Sequence, residues 1–245
     1  MTVYTNYSVE IEPLFTIATM PTIHLIGSSH VGANHELPTI FAQKYGSMRE
    51  GFKNKFTFGT AMGASGGRIG NIDLVNEFVS VAEETAQHPR FDGQVVCLLL
   101  GTNDWALPDV TESTFHSNYK NLVDRFLAIP HTAVILTSLV PREECSAFPG
   151  KRSDMRIPTK IVHKMAKLYH KEERMVRYTN IHNLILEKES ADKREVRSIR
   201  EGALKDGIHM ARETVEMVAA KLLFCIEKMP NDWFPVFYQV TNENY

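Results

Sequence analysis

Two nearly unbroken apolar runs constrain this chain more than any other feature: Q-V-V-C-L-L-L at 94–100 and T-A-V-I-L-T-S-L-V at 132–140. A strand with one wet face alternates apolar and polar residues. A run that is apolar throughout is buried on both faces, as in a parallel sheet between helical layers. Each run ends at a chain breaker, Gly101 or Pro141. Ile72, Leu74, Val75, Phe78, Val79 and Ala82 recur at the three- and four-residue spacing of a helix, as do Phe115, Tyr119, Leu122, Val123 and Phe126. Further helices are expected at 30–45, interrupted by Pro38, and at 159–176 and 211–229. Shorter strands are expected near 22–27, 55–59 and 177–182, and the charged segment 183–201 reads as helix-prone. Alternating strands and helices predict an α/β fold with helices on both faces of a central parallel sheet of about five strands.

A chain of 245 residues is compatible with one such domain. It is expected to span 21–229, with an arm at 1–20 and a tail at 230–245. A net charge of −2 exerts no general pull on nucleic acid or membrane. The charge is uneven, however: between Arg142 and Lys205 there are sixteen Lys and Arg against ten Asp and Glu. A solvated helical face explains such an excess, and so does an RNA partner. Cys97, Cys145 and Cys225 are far apart and form no C-x-x-C pair, which argues against a disulfide framework or a zinc site. The first twenty residues lack a basic region followed by an apolar one, and no apolar run approaches the ~18 residues of a bilayer span. A cytoplasmic protein is the expectation.

The polar motifs follow the strands. I-H-L-I-G-S-S-H (23–30) ends an apolar run on Ser29, at the sheet edge where α/β proteins carry their sites. A glycine-rich loop, G-A-S-G-G-R-I-G (63–70), follows the second strand and can point a backbone N–H at a ligand. It has no Gly-Lys-Ser/Thr and does not fit G-x-G-x-x-G, so phosphate cradling is disfavoured. G-T-N-D (101–104) follows the third strand, and D-G-I-H (206–209) precedes the last helix. Residues three apart on a turn can share a side, so Asp206 can orient His209, and His209 can act as base toward Ser29. The N–H groups of Ser29 and Gly66 and the amide of Asn103 suit an oxyanion. Each signal also has a structural reading, because Ser28–Ser29, Asn103–Asp104 and Asp206 are all good helix caps. His30 adjoins the proposed nucleophile but reads as pointing elsewhere. Trp105 suits either an acyl pocket or packing beneath its loop, and His163, His170 and His182 read as solvated.

Taken in order, G-S-S (27–29), G-A-S-G-G (63–67), G-T-N-D (101–104) and D-G-I-H (206–209) resemble blocks I, II, III and V of the SGNH, or GDSL, hydrolase family. The similarity covers about 22–228. It implies a three-layer flavodoxin-like fold and a serine esterase or lipase-type activity without metal or cofactor, acting on a small-molecule or lipid ester. By this resemblance Ser29, His209 and Asp206 are the catalytic residues, and Ser29, Gly66 and Asn103 form the oxyanion hole, with Gly67 as the other candidate for the block II place. The family's usual Asp between Gly and Ser is Ser28 here. G-S-S-H-V-G and S-L-V-P-R (138–142) look more like the metazoan and retroelement-associated members related to the Oskar C-terminal domain, which binds RNA. A non-catalytic module binding RNA or a protein is therefore the alternative reading.

Overall fold

The two apolar runs form the middle of a five-stranded sheet in the computed structural model, which describes residues 20–32, 35–53, 55–89, 91–143, 153–189 and 196–234. The strands are β1 (Thr22–Gly27), β2 (Thr57–Gly63), β3 (Gln94–Leu99), β4 (Thr132–Thr137) and β5 (Val176–Thr179). They pair in the order β2-β1-β3-β4-β5, every pair parallel. The side chains of the central strands alternate between two cores. Ile26, Val96, Leu98, Val134 and Leu136 face α3 (Ile72–Ala86), α5 (Glu112–Leu127) and α6 (Arg156–Lys171). Ile23, Leu25, Val95, Cys97, Ala133 and Ile135 face α1 (Leu37–Gly46) and α8 (Arg212–Glu227). The expected parallel sheet between helical layers is thus the observed architecture.

The register positions the site. Gly27 at the end of β1 lies beside Gly63 of β2 and Leu99 of β3, so three strands finish at one level. The strand order reverses direction between β1 and β3, and such a switch point opens a crevice at the carboxyl edge. Gly63 is required by crowding there. A Cβ on it would lie 2.4 Å from Gly32 N and 2.7 Å from Ser28 O, inside the turn that carries Ser29.

The structure corrects several local expectations. β2 runs to Gly63 rather than over 55–59, because glycines at 59 and 63 dilute its alternation and its side chains are only half-buried. The segment 183–201 is not one helix. A single turn, α7 (His182–Ile185), leads into the antiparallel pair β6 (Leu186–Glu189) and β7 (Val196–Ile199). Leu184 and Ile199 pack on the α1/α8 core there, so tertiary burial overrides a helix-favouring composition. Two short helices, α2 (Glu50–Lys53) and α4 (Thr102–Trp105), complete the described α-helices. The expected arm lies outside the described residues except for Met20. Of the expected tail, 230–234 is described: Phe234 is fully buried, with its ring edge-on to Phe56. No described helix is long and apolar enough to cross a membrane.

Gly63→Ala is expected to destabilise the fold by about 1–3 kcal/mol, the usual cost of overpacking. Denaturant unfolding measures it, with Gly46→Ala, which has open space around its Cβ position, as the tolerated control.

Candidate active site

Ser29 owes its position to a turn that cannot relax. Beyond β1 the Ser28 N–H donates to the Leu99 carbonyl at 3.2 Å, tying the turn to β3. Ser29–Val31 then form one 3₁₀ turn, closed by Val31 N–H to Ser28 O and Gly32 N–H to Ser29 O, both 3.0 Å. Ser29 is 8% exposed, and its N–H has no hydrogen-bond partner among the described residues.

Asp206 and His209 sit on a pinched loop rather than on α8 itself. Leu204 and Met210 bridge antiparallel, and the Ala211 N–H donates to Ala203 O at 2.9 Å. Ala203 and Met210 are buried, anchoring the loop to the core. Asp206 uses both oxygens. Oδ1 accepts the N–H groups of Ile208 (3.0 Å) and His209 (2.7 Å), and Oδ2 meets His209 Nδ1 at 2.5 Å. Asp206 therefore both caps the turn and touches the His209 ring. Across 180 residues of sequence, His209 Nε2 lies 3.1 Å from Ser29 Oγ.

Burial opposes the charge on Asp206, but the bonds from the His209 ring and from the His209 and Ile208 N–H groups outweigh it and hold its carboxyl down at about 2. Asp206 thus stays ionised and can steady an imidazolium. Nδ1 faces a carboxylate, so Nε2 is the nitrogen available to take a proton from Ser29.

The third loop pair is held by a different carboxylate. Asp104 is buried, with Oδ2 accepting the Ile69 N–H and Oδ1 the Gly70 N–H, both at 3.0 Å. Asn103 Nδ2 donates to the Gly67 carbonyl at 3.2 Å, which leaves its second amide hydrogen for a ligand. The Gly67 N–H is taken by Ala64 O at 2.9 Å. Gly66, at φ +68 and with open space around it, has no partner for its N–H among the described residues. Asp104 does not cap the following helix, as its position suggested. It ties the glycine loop to the short helix after β3 instead.

Other residues depart from expectation. The His30 ring is buried and edge-on to His209 at 5.6 Å, not turned away. Burial, then the neighbouring His209 and His35, push its pKa down to about 3, so it is neutral. His35 stacks on His209 at 4.5 Å. No period or motif marked it, and it arrives there because its N–H turns back onto Gly32 O at 2.9 Å. Trp105 packs beneath its loop, 4% exposed, with Nε1 donating to Asp154 O. His182 is buried, not solvated: its Nδ1 lies 2.9 Å from Leu139 O, and its N–H donates to Ser138 Oγ. His163 stacks on Tyr178. No group of described residues is arranged to hold a metal ion.

The GDSL-like lipase/acylhydrolase model matches residues 24–222, most of the chain and a span that contains 27–29, 63–67, 101–104 and 206–209. The chain belongs to the GDSL-like lipase/acylhydrolase family. Members of this family are generally serine ester hydrolases. No curated protein sequence matches the chain. Among solved structures, this family member is similar to a lipase/acylhydrolase from Enterococcus faecalis (16% identity, 85% of this chain and 96% of that one, TM-score 0.60). It is also similar to an acetyl esterase mutant with an acetate ion (16%, 85% and 97%, TM-score 0.54). A carbohydrate esterase family 3 protein from Talaromyces cellulolyticus is comparable (17%, 85% and 97%, TM-score 0.53). At these identities the likeness establishes the shared α/β fold.

The two carboxylates have opposite linkage to stability. Burial raises the Asp104 pKa from 3.8 to about 6 against the Gly70 and Ile69 N–H bonds, so the folded chain binds this proton more tightly than the unfolded chain. Its ionisation costs stability at neutral pH, and the cost is relieved as pH falls through 6 toward 3.8. Relative to Asp104→Asn, the wild type is expected to gain about 2 kcal/mol of unfolding free energy between about pH 7 and pH 4, measured by denaturant titration. Asp206, lowered from 3.8, adds stability above that value and loses it as pH falls toward 2.

Proposed function

We propose that this family member is a serine ester hydrolase, with Ser29 as nucleophile, His209 as general base and acid, and Asp206 as the carboxylate that orients His209. The observation that carries the reading is the 3.1 Å contact between Ser29 Oγ and His209 Nε2, continued to Asp206 at 2.5 Å. His209 takes the Ser29 proton as Oγ attacks the ester carbonyl. It returns that proton to the departing alkoxide, leaving an acyl group on Ser29. Water, deprotonated by the same nitrogen, then releases the acid. The oxyanion is held by the N–H groups of Ser29 and Gly66 and the free amide hydrogen of Asn103. The choice of Gly66 over Gly67 is supported by its unengaged N–H. The acetyl esterase and the carbohydrate esterase among the solved structures make short-acyl esters, acetyl above all, the substrates to try first.

The non-catalytic alternative has a narrower basis. α6 contains no acidic residue, and Lys160, Lys164, Lys167 and Lys171 lie exposed along it without an ion pair among the described residues. Such a face suits RNA phosphates. The likeness to retroelement-associated members rests on the motif style at 27–32 and 138–142 alone.

A fluorophosphonate probe is expected to label the wild type and not Ser29→Ala. On a chain-length series of aryl esters, turnover is expected to fall by at least about 10⁴-fold in His209→Ala and about 10²–10³-fold in Asn103→Ala. Equal labelling of wild type and Ser29→Ala would contradict the proposal. Absent turnover combined with salt-steep RNA binding would favour the alternative.

A further inference from the structure

Two hydrogen bonds engage the His209 ring, Asp206 Oδ2 at Nδ1 and Ser29 Oγ at Nε2. They engage only its two nitrogens, while the ring itself turns about the Cα–Cβ and Cβ–Cγ bonds. Burial restrains it only in part. The Asp206 side chain is 48% exposed and that of His209 25%. A ring in this setting needs a wall.

Two neighbouring rings meet it. His30 approaches edge-on at 5.6 Å from the buried nucleophile turn. His35 covers a face, with centroids 4.5 Å apart and planes inclined by 30°. The His35 N–H donates to Gly32 O at 2.9 Å, which ties this ring to the residue that closes the Ser29 turn. The segment after β1 thus carries both the nucleophile and a plate against the base. We propose that His35 is a positioning residue that holds the His209 ring in the plane where Nε2 faces Ser29 Oγ, acting by stacking and not through its own nitrogens. The inference rests on the esterase reading of the same site.

Charge is consistent with this role. A protonated His35 would set a second cation against the imidazolium that forms at each turnover. Burial, then His209 and Lys205, lower the His35 pKa, while Asp206 acts against them. The Glu36–Arg212 ion pair, 3.6 Å, stands in the adjoining chain. A neutral aromatic plate is what the position favours, and any planar apolar ring of similar size should serve.

The test compares His35→Ala and His35→Phe with wild type by three readouts: turnover of an aryl acetate, rate of fluorophosphonate labelling, and the downfield NMR resonance of the His209 Nδ1 proton. His35→Ala is expected to lower kcat and labelling rate by about 10- to 100-fold, as a misplaced reacting group does. KM should change little, and the downfield resonance should broaden or vanish. His35→Phe is expected to recover most of the rate and the resonance. Wild-type rates and an intact resonance in His35→Ala would overturn the proposal. So would a folded His35→Phe as impaired as His35→Ala, because the ring nitrogens would then be what matters. The resonance reads the His209 geometry in the absence of any substrate, so it separates failure of this inference from failure of the esterase reading.

Discussion

Three parallel strands that end at one level are the constraint on which everything else depends. Gly27, Gly63 and Leu99 are lateral neighbours, so the loops leaving them start within a strand spacing or two of one another. The tight contact of Gly63 with the Gly32 and Ser28 backbone then leaves the Ser29 turn little freedom. The last loop reaches this edge by another route. Glu143 N–H donates to Gly207 O at 2.8 Å, and Thr102 Oγ1 donates to Val140 O at 3.2 Å. The strap after β4 thereby joins the Asp206–His209 loop to the loop after β3.

Two aspartates divide the electrostatic work. Asp206 is half-exposed, hydrogen-bonded by three N–H groups and held ionised. A half-exposed carboxylate suits the proposed task of orienting the His209 ring and answering a transient charge. Asp104 is buried and costs stability when ionised, yet it accepts two backbone N–H groups that nothing else in the described structure satisfies. Paying that cost fixes the glycine loop, and with it the exposed N–H of Gly66. Local instability accepted to hold a backbone in place is a familiar signature of a working site.

The central strands were legible because burial on both faces leaves an unbroken apolar run of strand length, here closed by a chain breaker. The four motifs were legible because each closes a strand or opens a turn at a fixed place. Other features left no such mark. β2 lies at the sheet edge with half-buried side chains, so its pattern is weak. The β6–β7 pair arises from packing of Leu184 and Ile199 on the core, against a helix-favouring composition. His182 is buried because its backbone and ring meet Ser138 and Leu139, partners more than forty positions away. His35 and the tether made by Asp104 follow from how loops fold back on one another. Spacing along the chain does not encode that.

The central claim is that a hydroxyl and an imidazole 180 residues apart act as one acyl-transfer device. Its most direct measurement is intact-mass spectrometry of the protein quenched during its first minutes with an aryl acetate, followed by peptide mapping. The account predicts a single acetyl group per chain, carried on Ser29, that disappears as substrate is exhausted. Continued ester turnover with no acetyl on Ser29, or with the acetyl on another residue, would contradict it.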